Sequence, residues 1–123
     1  MAKDIAEISK ILEQYTTEVA ESITNKAIEI GDECVKQLKS SNMPNRTGKY
    51  RKSWTKQVRQ GSNFINVKVH NKKYYRLTHL LEKGHATRNG GRTKAIPHIA
   101  PVEKYAENEF EKSVEKIIKN GGN

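Results

Sequence analysis

The chain has 123 residues and a mass of 14.0 kDa, the size of one domain, which argues against a two-domain enzyme with its own cofactor module. Its 34% hydrophobic and 30% charged residues put it on the polar side of globular composition, but repeated aliphatic stripes exclude general disorder. Twenty-three Lys and Arg against fourteen Asp and Glu give a net charge of +9, which points to an acidic partner such as nucleic acid, an anionic surface or an acidic protein.

That charge is unevenly spread. Residues 1–44 carry five basic and eight acidic side chains, residues 45–98 carry fourteen and one, and residues 99–123 carry four and five. The single Cys34 excludes an internal disulfide framework and a multi-cysteine zinc site; within a helical pattern it reads as a buried thiol in a reducing compartment. No basic-then-apolar leader opens the chain, and no apolar run approaches the ~18 residues of a membrane span. A soluble cytoplasmic product with no membrane partner is expected.

Ile5, Ile8, Leu12, Tyr15, Val19, Ile23, Ala27, Ile30, Cys34 and Leu38 recur at steps of three and four, which predicts one long helix from about Lys3 to Ser40. Unbroken, it would exceed ~50 Å, far beyond the ~14 Å radius of gyration of a domain this size. It therefore either breaks near Gly31 or projects, and a projecting apolar face calls for a neighbouring subunit. Pro44 ends this helix.

Trp54, Lys56 and Val58, then Ile65, Val67 and Val69, alternate about Gly61-Ser62-Asn63, the pattern of a β-hairpin. Tyr74, Leu77, Leu80 and Leu81 have helical spacing, with Gly84 placed as a C-terminal cap. Residues 85–95 read as an exposed basic loop of falling order. Pro101 suits the first turn of a closing helix that buries Val102, Ala106, Phe110, Val114 and Ile117 or Ile118. The prediction is one α+β domain over residues 1–123: a long helix (1–40), a basic hairpin, helix and loop section (45–98), a closing helix (101–119) and a disordered tail (120–123). The helices should pack on one face of a small antiparallel sheet.

Catalytic constellations are weak. Glu82 is the one acid of the basic section, so a two-carboxylate site would need a residue from a terminal helix, and neither a Walker loop nor a His-Glu-x-x-His motif occurs. His79, Glu82 and His85 lie at steps of three, but Gly84 should end the helix before His85. An ion pair or loop-amide hydrogen bond suits Glu82 better than a metal, so no metal, cofactor or catalytic residue is assigned. Arg46, Lys49, Arg51 and Lys52 in one set, and Arg88, Arg92 and Lys94 in another, are candidate contacts for a partner or for nucleic acid. Trp54 and Tyr74 read as core rather than as stacking platforms.

Three segments carry a family resemblance: Thr47-Gly48-Lys49-Tyr50-Arg51-Lys52-Ser53 leading into the hairpin, Tyr75 to Leu81-Glu82-Lys83-Gly84, and Pro97-His98-Ile99-Ala100-Pro101 opening the last helix. Over about residues 44–106 the chain resembles the minor structural proteins of long-tailed double-stranded DNA phages, the head–tail joining, neck, tail-completion or tail-component proteins. It departs from them in having Lys83 where an aromatic is common, and in a longer loop. The resemblance implies a non-enzymatic component of the virion, built in the host cytoplasm, that forms a homo-oligomeric ring and contacts neighbouring connector and tail proteins. It also implies fold-defining roles for Thr47, Gly48, Ser53, Glu82, Gly84, Pro97 and Pro101. The residues alone leave a second reading, a small basic DNA- or RNA-binding protein.

Overall fold

A computed structural model describes residues 6–40 and 48–122. The elements in order are strand β1 (Ala6–Ile11), helix α1 (Thr17–Lys39), a one-turn helix α2 (Lys49–Lys52), strands β2 (Trp54–Gly61) and β3 (Phe64–Asn71), helix α3 (Tyr75–Lys83) and helix α4 (Ile99–Lys119). The three strands form an antiparallel sheet in the order β1-β3-β2. The α+β class, the hairpin, the middle helix and the closing helix are as the sequence predicts.

The N-terminal segment differs from its prediction. Residues 6–11 form a strand paired with β3 from Ala6↔Val69 to Ile11↔Phe64, not the start of a long helix. Ala6 and Ile8 alternate inward with period two, and a hairpin alone is marginal without a third strand. Thr16 then starts α1 as its N-cap, its hydroxyl accepting from the Val19 amide at 3.3 Å. The helix runs unbroken through Gly31. At ~1.5 Å per residue its 23 residues reach only ~34 Å, and the sheet and α4 cover its apolar face. The projecting-helix argument for oligomerisation therefore falls. Gly31 is a point of close approach, because a Cβ there would lie 2.6 Å from Val67 Cγ1 on β3.

One hydrophobic cluster joins the inner face of the sheet (Ile8, Ile65, Val67, Val69, Trp54) to α1 (Ile23, Ala27, Ile30, Cys34, Leu38) and α4 (Ile99, Val102, Ala106, Val114, Ile117). Cys34 is buried there; burial first, and the Glu33 carboxylate second, push its thiol up to about 11. On α4, Ile117 is the buried isoleucine while Ile118 is 47% exposed and Phe110 is only partly covered. The segment after α4 is not the loose tail expected for residues 120–122. The Gly121 and Gly122 amides donate to the Ile118 and Ile117 carbonyls, at 3.2 and 2.9 Å, and Ser22 on α1 donates to the Gly122 carbonyl. Among the described residues no helix is long and apolar enough to cross a membrane.

Candidate functional site

The motif residues converge where the open end of the hairpin meets α2, α3 and the start of α4. Gly48 sits at φ 72° and turns the chain into α2, a left-handed geometry that glycine adopts without steric cost. That turn drives Tyr50 inward to 2% exposure, and its hydroxyl bridges Thr78 Oγ1 at 3.0 Å and His98 Nε2 at 2.6 Å. Ser53 closes α2, its hydroxyl donating to the Lys49 carbonyl at 2.8 Å. Asn71, at the end of β3, donates to the Tyr50 carbonyl at 2.8 Å and accepts from the Tyr74 amide at 2.9 Å, so its amide joins three elements.

Glu82 binds α3 to α4. Its Oε1 accepts from the His98 and Ile99 amides, each at 2.8 Å, and its Oε2 accepts from the Ala100 amide at 3.1 Å. Three amides at the helix start, which lack intrahelical partners, are thereby satisfied by one carboxylate placed at the positive end of the helix dipole. His98 Nδ1 lies 2.9 Å from both this carboxylate and the Ile96 carbonyl. Both are acceptors, so Nδ1 carries a proton. Trp54 packs edge-on against His98 and Tyr50, with ring centroids 5.9 and 5.7 Å apart.

The result is a shielded polar knot. Tyr50, Asn71, Thr78 and His98 are buried, and Glu82 spends its oxygens on amides, as a loop-amide ligand rather than a member of a His79–Glu82–His85 metal triad. Asn71 and Thr78 escape sequence reasoning. Thr78 lies four residues before Glu82 and four after Tyr74, the helical spacing of the inward face. The helical spacing of Tyr74, Leu77, Leu80 and Leu81 gives the helix without marking Thr78 as its inward residue. The structure turns Thr78 inward and leaves Tyr75, Leu77 and Leu80 at 59%, 40% and 38% exposure.

The loop between α3 and α4 is exposed but ordered by hydrogen bonds, contrary to the falling order expected. Ala86 and Arg92 form an antiparallel bridge, and Thr93 and His85 exchange backbone and side-chain hydrogen bonds at 2.9 Å. Gly84, at φ 72°, lets the returning strand approach, since a Cβ there would meet the Thr93 carbonyl oxygen at 2.5 Å. Arg88, Arg92 and Lys94 are exposed on this loop, and the Arg92 guanidinium donates back to the Gly84 carbonyl at 3.4 Å. Pro97 and Pro101 are exposed as well, with Pro101 in the first turn of α4. Arg46 and Thr47 lie outside the described residues. Lys49 and Lys52 are exposed on α2, while Arg51 is half-buried, with its Nε covered and without a hydrogen-bond partner among the described residues.

Two surface regions have opposite character. A groove of about 490 Å³ between β1 and α4 has apolar Tyr15, Phe110 and Ile118 beside Glu7, Glu111 and Glu115, with Lys10 as the base among its described lining residues. Glu107, also on its wall, extends the acidic stripe along α4 at four-residue steps. A second cleft, of about 540 Å³, is lined by Lys39, Lys49, Lys52, Lys72 and Lys73 together with Trp54 and Tyr74.

Neither the curated proteins nor the solved structures contain a match to this chain. A family model described as "Bacteriophage HK97-gp10, putative tail-component" matches residues 3–84. The match takes in β1, α1, the hairpin and α3 and stops at Gly84, short of the Pro97–Pro101 segment. Since it spans two thirds of the sequence, the chain belongs to the HK97-gp10-like family of phage tail components.

Proposed function

We propose that this phage structural protein acts at the head–tail junction, as a neck or tail-completion component that assembles with copies of itself into a ring and is built in the host cytoplasm before joining the virion. The observation that carries the reading, beyond family membership, is the pair of unlike surfaces on one chain. An acid-rimmed apolar groove lies along β1 and α4, and α3 exposes the apolar Tyr75, Leu77 and Leu80 together with the basic Arg76 and Lys83. Unlike patches favour head-to-tail contacts, which close into rings when the rotation between copies allows it, and opposite charge sets the register of such a contact.

The role is non-catalytic on this reading. The polar groups that the motif gathers are buried and bonded to one another, an arrangement that fixes the mutual placement of four elements and offers no exposed nucleophile or base. The neighbours of the ring are the connector and tail proteins on either side.

The deciding experiment is deletion of the gene in its phage or prophage. The expected outcome is DNA-filled heads and separate tails with little infectivity; normal infectious particles would refute the reading. Light scattering of the purified chain with its adjacent connector protein should give a mass several times that of the 14.0 kDa protomer.

A further inference from the structure

We infer that the lysine cleft is a binding site for the phosphate backbone of nucleic acid. Five lysines line it from three places: Lys39 at the end of α1, Lys49 and Lys52 on α2, and Lys72 and Lys73 in the turn after β3. No carboxylate is among its described lining residues. A cleft lined by one sign of charge carries a positive potential and so favours an anion.

The number and type of the charges select the ligand. A free phosphate brings roughly two negative charges, fewer than the lysines that line the cleft. A nucleic acid backbone presents a row of charges at close spacing and releases its condensed counterions on binding. A protein partner is a poorer fit, because lysine is depleted in protein–protein interfaces whereas arginine is enriched, its planar fork matching carboxylates. The cleft contains lysines and no arginine among its described residues. Ser53, Thr55 and Tyr74 add hydroxyl groups to its lining, which suit phosphate oxygens. Trp54 also lines it, and its buried indole N–H has no hydrogen-bond partner among the described residues. Such an unsatisfied donor is uncommon in a folded protein.

The inference does not depend on ring assembly, since the cleft lies within one chain. It also selects between the two basic sets: the α2 lysines belong to the site, and Arg88, Arg92 and Lys94 are absent from its lining.

The test is fluorescence anisotropy of a labelled duplex of about 20 base pairs across a salt series. Affinity should fall with a log–log slope losing about 0.9 for each lysine–phosphate contact removed. The triple variant Lys52→Gln/Lys72→Gln/Lys73→Gln, at exposed positions, should therefore flatten the slope by about 2 to 3 with an unchanged thermal midpoint. Arg88→Gln/Arg92→Gln/Lys94→Gln should move it by less than about 1. As Trp54 is the sole tryptophan, its indole N–H resonance should shift on addition of duplex. The inference is overturned by an absence of binding at ~50 mM salt, or by a loss that follows the loop variant instead. It also falls if inorganic phosphate at millimolar concentration displaces the duplex, which assigns a free anion, or if polyglutamate of equal charge competes as well as DNA, which assigns an acidic protein.

Discussion

The two halves of the molecule are held by different forces. Sheet, α1 and α4 share a core of aliphatic side chains in which Ile23, Ala27, Leu38 and Ile65 have no measurable exposure, and transfer of apolar surface from water suffices to explain their packing. α3 and the loop beyond it have little of this. Thr78 is the one buried residue of α3, and three large apolar side chains of that helix face outward. What fixes it is a set of directed bonds: Tyr50 to Thr78, Glu82 to the α4 amides, and the Ile96 amide to the Leu81 carbonyl at 2.7 Å. A helix held by hydrogen bonds is positioned precisely yet leaves its apolar side available to a neighbour.

The contrast makes graded predictions. Ile30→Ala, at 2% exposure, should cost about 3 to 4 kcal/mol and lower the thermal midpoint by roughly 12 °C, with amide exchange rising throughout the chain. Glu82→Ala should cost about 2 to 3 kcal/mol and Glu82→Gln about half as much, since one acceptor oxygen survives. Its signature is local: exchange should rise in α3 and the first turn of α4 while α1 and β3 stay protected. Equal loss of protection in both halves would erase the distinction drawn above.

Alkaline pH should act on the core half. The Cys34 thiol titrates at about 11 in the folded chain against an ordinary 9.0, so the unfolded chain releases this proton first. The stabilisation is complete below about pH 9 and is lost as pH rises toward 11, to the extent of about 2 kcal/mol. Urea titrations of the parent and Cys34→Ala at pH 7 and pH 10.5 should show the excess alkaline loss in the parent alone. The smallest effect belongs to the outward face of α3: Leu77→Ser/Leu80→Ser should change the stability of the isolated chain by less than about 0.5 kcal/mol per site while weakening self-association in light scattering. A large stability loss would place those leucines in the core and remove them as a docking surface.

Much of this was legible in the residues. The hairpin alternation, the α4 stripe and the segregation of charge follow from spacing and composition, because period two and period 3.6 are imposed by backbone geometry itself. The first forty residues show where that logic stops. Ile8 and Leu12, four residues apart, fit a helical stripe and an alternating strand alike, and the deciding term is the free edge of β3, which lies more than fifty residues away in sequence. In α3 the spacing of Tyr74, Leu77, Leu80 and Leu81 predicts the helix that forms but not its facing, which depends on Thr78 meeting Tyr50.

The amino-acid sequence by itself determined the element types across most of the chain, the basic middle and the kinship with phage tail components, since each rests on local pattern or on motif order. Tertiary structure alone decided that β1 completes the sheet, that Tyr50, Asn71, Thr78, Glu82 and His98 meet in one buried network, and that five lysines from separate elements share a cleft. Those outcomes depend on contacts between residues distant in the chain, whose energies exist only once the core has brought them together.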